Sequence, residues 1–292
     1  MTLLLRLKGS VMLYNMDIKH TKPNIRQLLK QGYTCVDMHT HTEYSKDAFG
    51  NIKKSLERAK KLGIGFAISD HNEIDAAIWA WQNKGDVLVI PGIEMKAFNG
   101  IDILVYFYDI KDLISYHEKY IKPRQKKDDF VPDITVEEII KFARNFKCVI
   151  GAPHPYVPRL CGIGCVVDNG VVNENLMKEV DFVEVINSYI PLKNNIKAVP
   201  WANKYEKAFS AGSDAHLPSH LGRALTCIKL EDGEHFLDAL KSKKDRLAIG
   251  KSGNLINVLL FVIGQFKLLA FKNGWHRFIH HLHTCISIKN RL

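Results

Sequence analysis

The stretch Thr34–Ala48, TCVDMHTHTEYSKDA, begins as a short apolar run and ends among imidazoles and carboxylates. Thr34–Met38 reads as a buried strand. On extended backbone His39 and His41 project to the same side, so both rings can reach one ion. In a βα barrel the chemistry sits where strands end, which makes every other strand end a place to look.

Further short apolar runs lie at Gly65–Ser69, Val87–Ile93, Asp102–Phe107, Cys148–Ala152, Phe182–Ile186 and Phe209–Ala211. Helical patterns separate them at Ile52–Leu62, Ile74–Asn83, Thr135–Asn145, Glu174–Glu179 and Asn194–Glu206, and Thr135-x-x-Glu138 reads as a capping box. Apolar strands alternating with helices predict an α/β fold with a parallel sheet covered on both faces. About seven such units predict a closed or nearly closed barrel. Residues 34–250 form the expected barrel, 1–33 an N-terminal extension and 251–292 a helical C-terminal appendage.

The other strand ends repeat the chemistry of the first. Asp70 and His71 follow the second strand (AISDHNEI) and Glu94 ends the third (IPGIEM). His154 follows the fifth (GAPHPY), and Asp214 and His216 follow the seventh (AGSDAH). Taken singly, His71 or His154 reads as a hydrogen-bonded core residue and Glu94 as a capping or salt-bridged acid. Together at one barrel face they read as a metal centre. Mixed nitrogen and oxygen donors suit zinc, manganese or iron.

These strings resemble the PHP (polymerase and histidinol phosphatase) family of metal-dependent phosphoesterases. The carriers are Asp37-x-His39-x-His41-Thr42 followed by Ser45 and Asp47, then Ser69-Asp70-His71, Gly92-x-Glu94, His154-Pro155 and Ser213-Asp214-Ala215-His216. The resemblance implies a distorted seven-stranded (β/α)7 barrel and two or three divalent ions. It implies His39, His41, Glu94 and Asp214 on one ion, with Glu94 bridging to a second ion on His154. Asp47, His71 and His216 are implied on a third. Relatives often carry a histidine in the fourth strand; this chain offers Asp102, either a ligand or simply the first residue of a strand.

The implied reaction is hydrolysis of phosphate esters by metal-activated hydroxide, on small phosphomonoesters or nucleotide-type phosphates. Asp37 and Asp70 are the candidate catalytic carboxylates, read as orienting nearby ligands, with strand-end capping as the other reading. Arg159 and Arg223 are candidate substrate-binding residues, either phosphate clamps or solvated loop arginines. Lys46 is a weaker candidate of the same kind. Cys161-x-x-x-Cys165 reads as a glycine-containing loop rather than a metal or redox pair. The rival readings are a metal-dependent amidohydrolase and a non-catalytic metal-binding barrel. No lysine stands out in the sequence as a bridging carbamate for the former.

The 292-residue chain carries a net charge of +10. From Lys241 onward ten basic residues face one acid, so residues 1–240 are close to neutral. A near-neutral barrel argues against long nucleic acid and for a small phosphorylated substrate. Cysteines within apolar runs predict reduced thiols and a cytoplasmic setting, with no secretory signal expected at the N-terminus. Asn254–Phe271 and the basic, histidine-bearing segment after it fit three readings: a hairpin packed on the barrel or on a second subunit, a membrane-surface anchor, or a span.

Overall fold

The computed structural model describes residues 16–45, 47–98, 100–125, 132–157, 162–242 and 246–253. Lys46, Arg159, Cys161 and the tail segment from Asn254 lie outside them, as do the expectations placed there. No helix among the described residues is long and apolar enough to cross a membrane.

Eleven strands are described: β1 (Met16–Lys19), β2 (Thr34–Thr40), β3 (Gly65–Ile68), β4 (Val89–Ile90), β5 (Gly92–Lys96), β6 (Asp102–Phe107), β7 (Cys148–Ala152), β8 (Phe182–Asn187), β9 (Ala208–Gly212), β10 (Ala224–Ile228) and β11 (Arg246–Gly250). They pair as a six-stranded sheet, β1-β11-β10-β2-β3-β4, and a five-stranded sheet, β5-β6-β7-β8-β9. The α/β expectation holds, but one closed, parallel, seven-stranded sheet is not what the described residues show. Two causes are local. Pro91 supplies no N–H to a ladder, so the expected Val87–Ile93 strand divides into β4 and β5. The connection from Lys96 to Asp102 is too short for a crossover, so β6 returns antiparallel to β5. β7 is also antiparallel to β6, and β10 is antiparallel to both β2 and β11. The remaining pairs are parallel.

Two isolated parallel bridges cross from one sheet to the other, Thr40 to Ala215 and His71 to Glu94. Both involve, or adjoin, residues singled out as ligands. β1, from the expected extension, pairs with β11 and is thus a strand of the six-stranded sheet.

Apart from Thr34 at the start of β2, strands β2, β3 and β6–β9 are continuously buried, as their Val, Ile and Phe content requires. One apolar cluster is shared by the two sheets: Val36, Met38, Leu104, Tyr106, Val149 and Phe182 among others. Helix α8 (Phe236–Lys241) packs on it through Phe236, Leu237 and Leu240. The larger cluster lies beneath the remaining helices. These are α1 (Ile25–Lys30), α2 (Ile52–Leu62), α3 (Asp75–Asn83), α4 (Ile110–Tyr116), α5 (Val136–Ala143), α6 (Ile163–Asp168) and α7 (Leu192–Lys204). The capping box opening α5 is present, with Thr135 and Glu138 capping each other's backbone N–H. Glu174–Lys178 is a 3-10 turn rather than an α-helix. Gly162 and Cys165, expected in a loop, instead lie at the N-cap and in the first turn of α6.

Candidate metal centre

His39 is the penultimate residue of β2, which is buried from Cys35 to Thr40, and its ring is fully enclosed. His39 Nε2 lies 3.1 Å from His41 Nε2 and 3.2 Å from Glu94 Oε2. His41 Nε2 lies 3.3 Å from the same Glu94 oxygen and 3.2 Å from Asp214 Oδ1, which is 3.7 Å from His39 Nε2. Five of the six edges among these four donor atoms thus measure 3.1–3.7 Å. A tetrahedron of donors around an ion at 2.0–2.1 Å has edges of about 3.4 Å. The residues present therefore fit a divalent ion.

Two smaller constellations adjoin this one. His154 Nε2 lies 3.1 Å from Glu94 Oε1, so Glu94 serves its neighbours with both oxygens. On the other side Asp47 Oδ2 lies 3.1 Å from His71 Nε2 and 3.3 Å from His216 Nε2. His71 Nδ1 lies 3.3 Å from Glu94 Oε2, linking this group to the first. All eight residues expected as ligands are therefore brought together, and Asp102 joins them beside His71 and Glu94.

The backbone is shaped for this convergence. His154 and Asp214 have φ of 26° and 54°, and Asn72, next to His71, has φ of 53°. Non-glycine residues in that region carry strain, which clusters at functional sites. At Gly212 a Cβ would sit 2.4 Å from the His39 Cβ and 2.7 Å from Glu184 Oε1. Only glycine lets β9 approach so closely.

Asp37 and Asp70 do something different from orienting a ring. Asp37 accepts from the backbone N–H of Ser213 and Gly222, both at 2.7 Å, and at 3.5 Å from His39. Asp70 accepts from the N–H and the hydroxyl of Thr42, both at 2.6 Å. Both carboxylates fasten the segments that carry ligands. The ring-orienting carboxylate is Glu184 on β8, which the sequence reading passed over. Its Oε1 lies 3.1 Å from His39 Nδ1, and its Oε2 accepts from the N–H of His154 at 2.9 Å. Asn187 donates to Glu184 and to Asp214, at 3.0 and 3.1 Å. The only signal in the sequence is a lone acid inside an apolar strand, FVEVIN.

Arg223, the described one of the two candidate phosphate arginines, is exposed just before β10. Its backbone N–H donates to the His220 carbonyl at 3.1 Å. The His220 ring meets the Tyr189 hydroxyl, and Tyr189 stands edge-on to the His216 ring at 5.7 Å, so the segment that carries Arg223 borders the rim of the centre. Lys96, unmarked in the sequence, lies inside the rim with its Nζ 2.5 Å from Asp102 Oδ1.

The electrostatics are those of a site that trades protons for cations. Burial opposes charging the His41 ring, but Asp214 and Glu94 outweigh it and hold the ring up at about 10. His39 is raised likewise, by Glu94, Glu184 and Asp214. Burial would raise Asp47 and Glu94, yet the facing imidazoles hold both well below the usual carboxylate range. Burial wins at Asp37 and Asp70, lifting them to about 7 and about 6. Imidazoles gathered among carboxylates must shed protons to accept a metal ion.

Comparison with known proteins places this geometry. A family model described as PHP-associated matches residues 193–244, which include Asp214, His216 and Arg223. An uncharacterised protein of Methanocaldococcus jannaschii is 29% identical over 252 residues, covering 82% of this chain and 88% of the relative. "Probable phosphatase YcdX" of Escherichia coli O127:H6 is 28% identical over 242 residues, covering 77% and 93%. Among solved structures, endonuclease Q in complex with a 27-mer duplex bearing an abasic lesion superposes with a TM-score of 0.58. Its identity is 18%, and the match covers 75% of this chain and 60% of the endonuclease.

Proposed function

We infer that this chain, a PHP-like metal-dependent phosphoesterase, releases phosphate from small phosphomonoesters or nucleotide-type phosphates. The observation that carries the reading is the convergence of His39, His41, Glu94 and Asp214, whose donor atoms approach to 3.1–3.7 Å along five of their six edges. Likeness to the Escherichia coli phosphatase supports the reaction class.

His39, His41, Glu94 and Asp214 are the proposed ligands of one ion, and Asp47, His71 and His216 of another, with His154 on the outer oxygen of Glu94. The donor mixture suits zinc, manganese or iron. Divalent ions held there supply an activated water and neutralise charge on the phosphoryl oxygens. The chain's own residues do the rest. Glu184 and Asn187 fix the rings and Asp214; Asp37 and Asp70 hold the ligand-bearing segments in place. Arg223 at the rim is the proposed phosphate handle. No side-chain nucleophile is required.

Tyr44, Phe49 and Phe98 stand exposed on the connections after β2 and β5, where a nucleobase could stack. They favour nucleotide-type substrates over plain sugar phosphates. The bridges Thr40–Ala215 and His71–Glu94 support reading the two sheets as a distorted barrel of seven strands, β2, β3 and β5–β9, with the centre at its seams. Reduced buried thiols at Cys35, Cys148 and Cys227 support a cytoplasmic setting.

The test is phosphate release by metal-stripped protein reloaded with manganese, zinc, iron or magnesium, across phosphomonoesters, nucleotides and phosphodiesters. Release that needs added metal and is lost in Asp214→Ala is the expected result. Full metal binding with no release from any ester would transfer the chain to the amidohydrolase or binding-protein reading.

A further inference from the structure

Lys96 is a cation placed among prospective metal ligands. It lies two residues after Glu94 on β5, so both side chains emerge on one face of the strand. Across the β5–β6 pair its register partner is Asp102. Lys96 Nζ meets Asp102 Oδ1 at 2.5 Å, with the two side chains only 15% and 10% exposed. The main chain is fixed as well, because the Lys96 N–H donates to Asn72 Oδ1 at 3.0 Å. Asn72 in turn directly follows His71 and itself carries the strained φ of 53°.

The position matters because of what surrounds it. The Oε2 atom of Glu94 already faces His39, His41 and His71, while Oε1 faces His154. An ion on Oε1 and His154 needs at least a third protein donor to be held firmly. Asp214, which groups with His39 and His154, already serves the first set; the carboxylate left is Asp102, which lies beside Glu94 and His71. One of its oxygens is taken by the ammonium. An ion on the same carboxylate would sit close to a fixed positive charge, with little solvent to screen the repulsion.

We propose that Lys96 is a built-in cation that pairs Asp102 and takes the place of a third ion, leaving a centre with two ion positions. The inference rests on the metal-dependent reading above. The positions that remain are the His39, His41, Glu94 and Asp214 set and the Asp47, His71 and His216 set. The ammonium keeps two N–H donors beyond the one given to Asp102, and these are available to a phosphate oxygen. Unlike a bound ion, that charge cannot be removed by a chelator.

The experiment counts zinc per chain by elemental analysis after stripping, reloading with zinc and desalting. It uses the native chain, Lys96→Met and Asp102→Asn, each checked for folding by circular dichroism. The native chain is expected to hold two zinc ions. Lys96→Met, which frees Asp102, is expected to hold a third, and Asp102→Asn to stay at two. Three ions in the native chain, or an unchanged count in folded Lys96→Met, would overturn the inference. So would loss of an ion in Asp102→Asn, which would make Asp102 a ligand. Should Lys96→Met fail to fold, the native and Asp102→Asn counts decide it. A native chain that holds two ions but releases no phosphate would leave this inference standing and remove only the proposed reaction. A chain that binds no zinc would remove both.

Discussion

Glu184 is the residue on which the aim of His39 depends. By accepting the Nδ1 proton it leaves Nε2 to face the other three donors, and its second oxygen holds the backbone of His154. Glu184→Gln keeps an acceptor but removes the charge, and should weaken metal binding about 10- to 100-fold. A zinc titration reads this, and excess zinc should recover the rate; unchanged affinity would reduce Glu184 to packing. The protons of the metal-free centre make a second prediction. His41, raised from 6.5 to about 10, contributes stability that is present below pH 6.5 and is lost as pH rises through 10. Asp37, raised from 3.8 to about 7 by burial, also contributes in the acid range and loses that contribution as pH rises towards 7. Asp47 and Glu94, both lowered, withdraw their contribution only at low pH. The metal-stripped chain should therefore melt at falling temperature from slightly acid to alkaline pH, and zinc should flatten that fall. A pH-independent melting temperature without metal would contradict this balance of charges.

Among the elements, α5 and β9 separate stability from function. Thr135 accepts from the Glu138 N–H at 3.3 Å, and Glu138 accepts from the Thr135 N–H at 3.0 Å. Thr135→Ala should cost about 1 kcal/mol. The melting temperature would drop by about 2–4 °C for a domain of this size. Metal binding should not change, because α5 carries no ligand. Gly212→Ala is the opposite case. The added methyl strikes His39 and Glu184, so zinc affinity should collapse while the far-ultraviolet circular dichroism is retained. Normal zinc binding in that variant would mean that β9 can yield. The cap of α5 was legible because capping is local, set by residues three apart. β10 was missed because only a 3-10 turn separates it from β9, outside the strand–helix alternation, and β11 because it is a five-residue run that opens on Arg246.

Over the whole molecule the centre joins the two sheets. His39, His41 and His71 come from the six-stranded sheet and its ends; Glu94, His154 and Asp214 come from the five-stranded one. An ion held by both should clamp the molecule. Free zinc at about 100 times its Kd would stabilise the fold by about 2.7 kcal/mol. At about 2–4 °C per kcal/mol, the melting temperature should rise by roughly 5–10 °C. Amide exchange should slow in β2 and β5 together. Asp214→Ala should shrink the shift, and protection confined to one sheet would show that the ion does not bridge them.

By itself the sequence determined the α/β class and the eight residues that converge. Strand ends are written locally, in apolar runs that stop at histidines and carboxylates, and alternation along a strand aims His39 and His41 to one side. Only the tertiary structure decided the partners of those residues. Glu184 meets His39 across 145 positions of chain, and nothing near either one announces the other. Lys96 reads as an ordinary surface lysine until the β5–β6 register sets it against Asp102. The antiparallel returns of β6, β7 and β10 were settled by connection length and by pairing between distant segments, which no local pattern records.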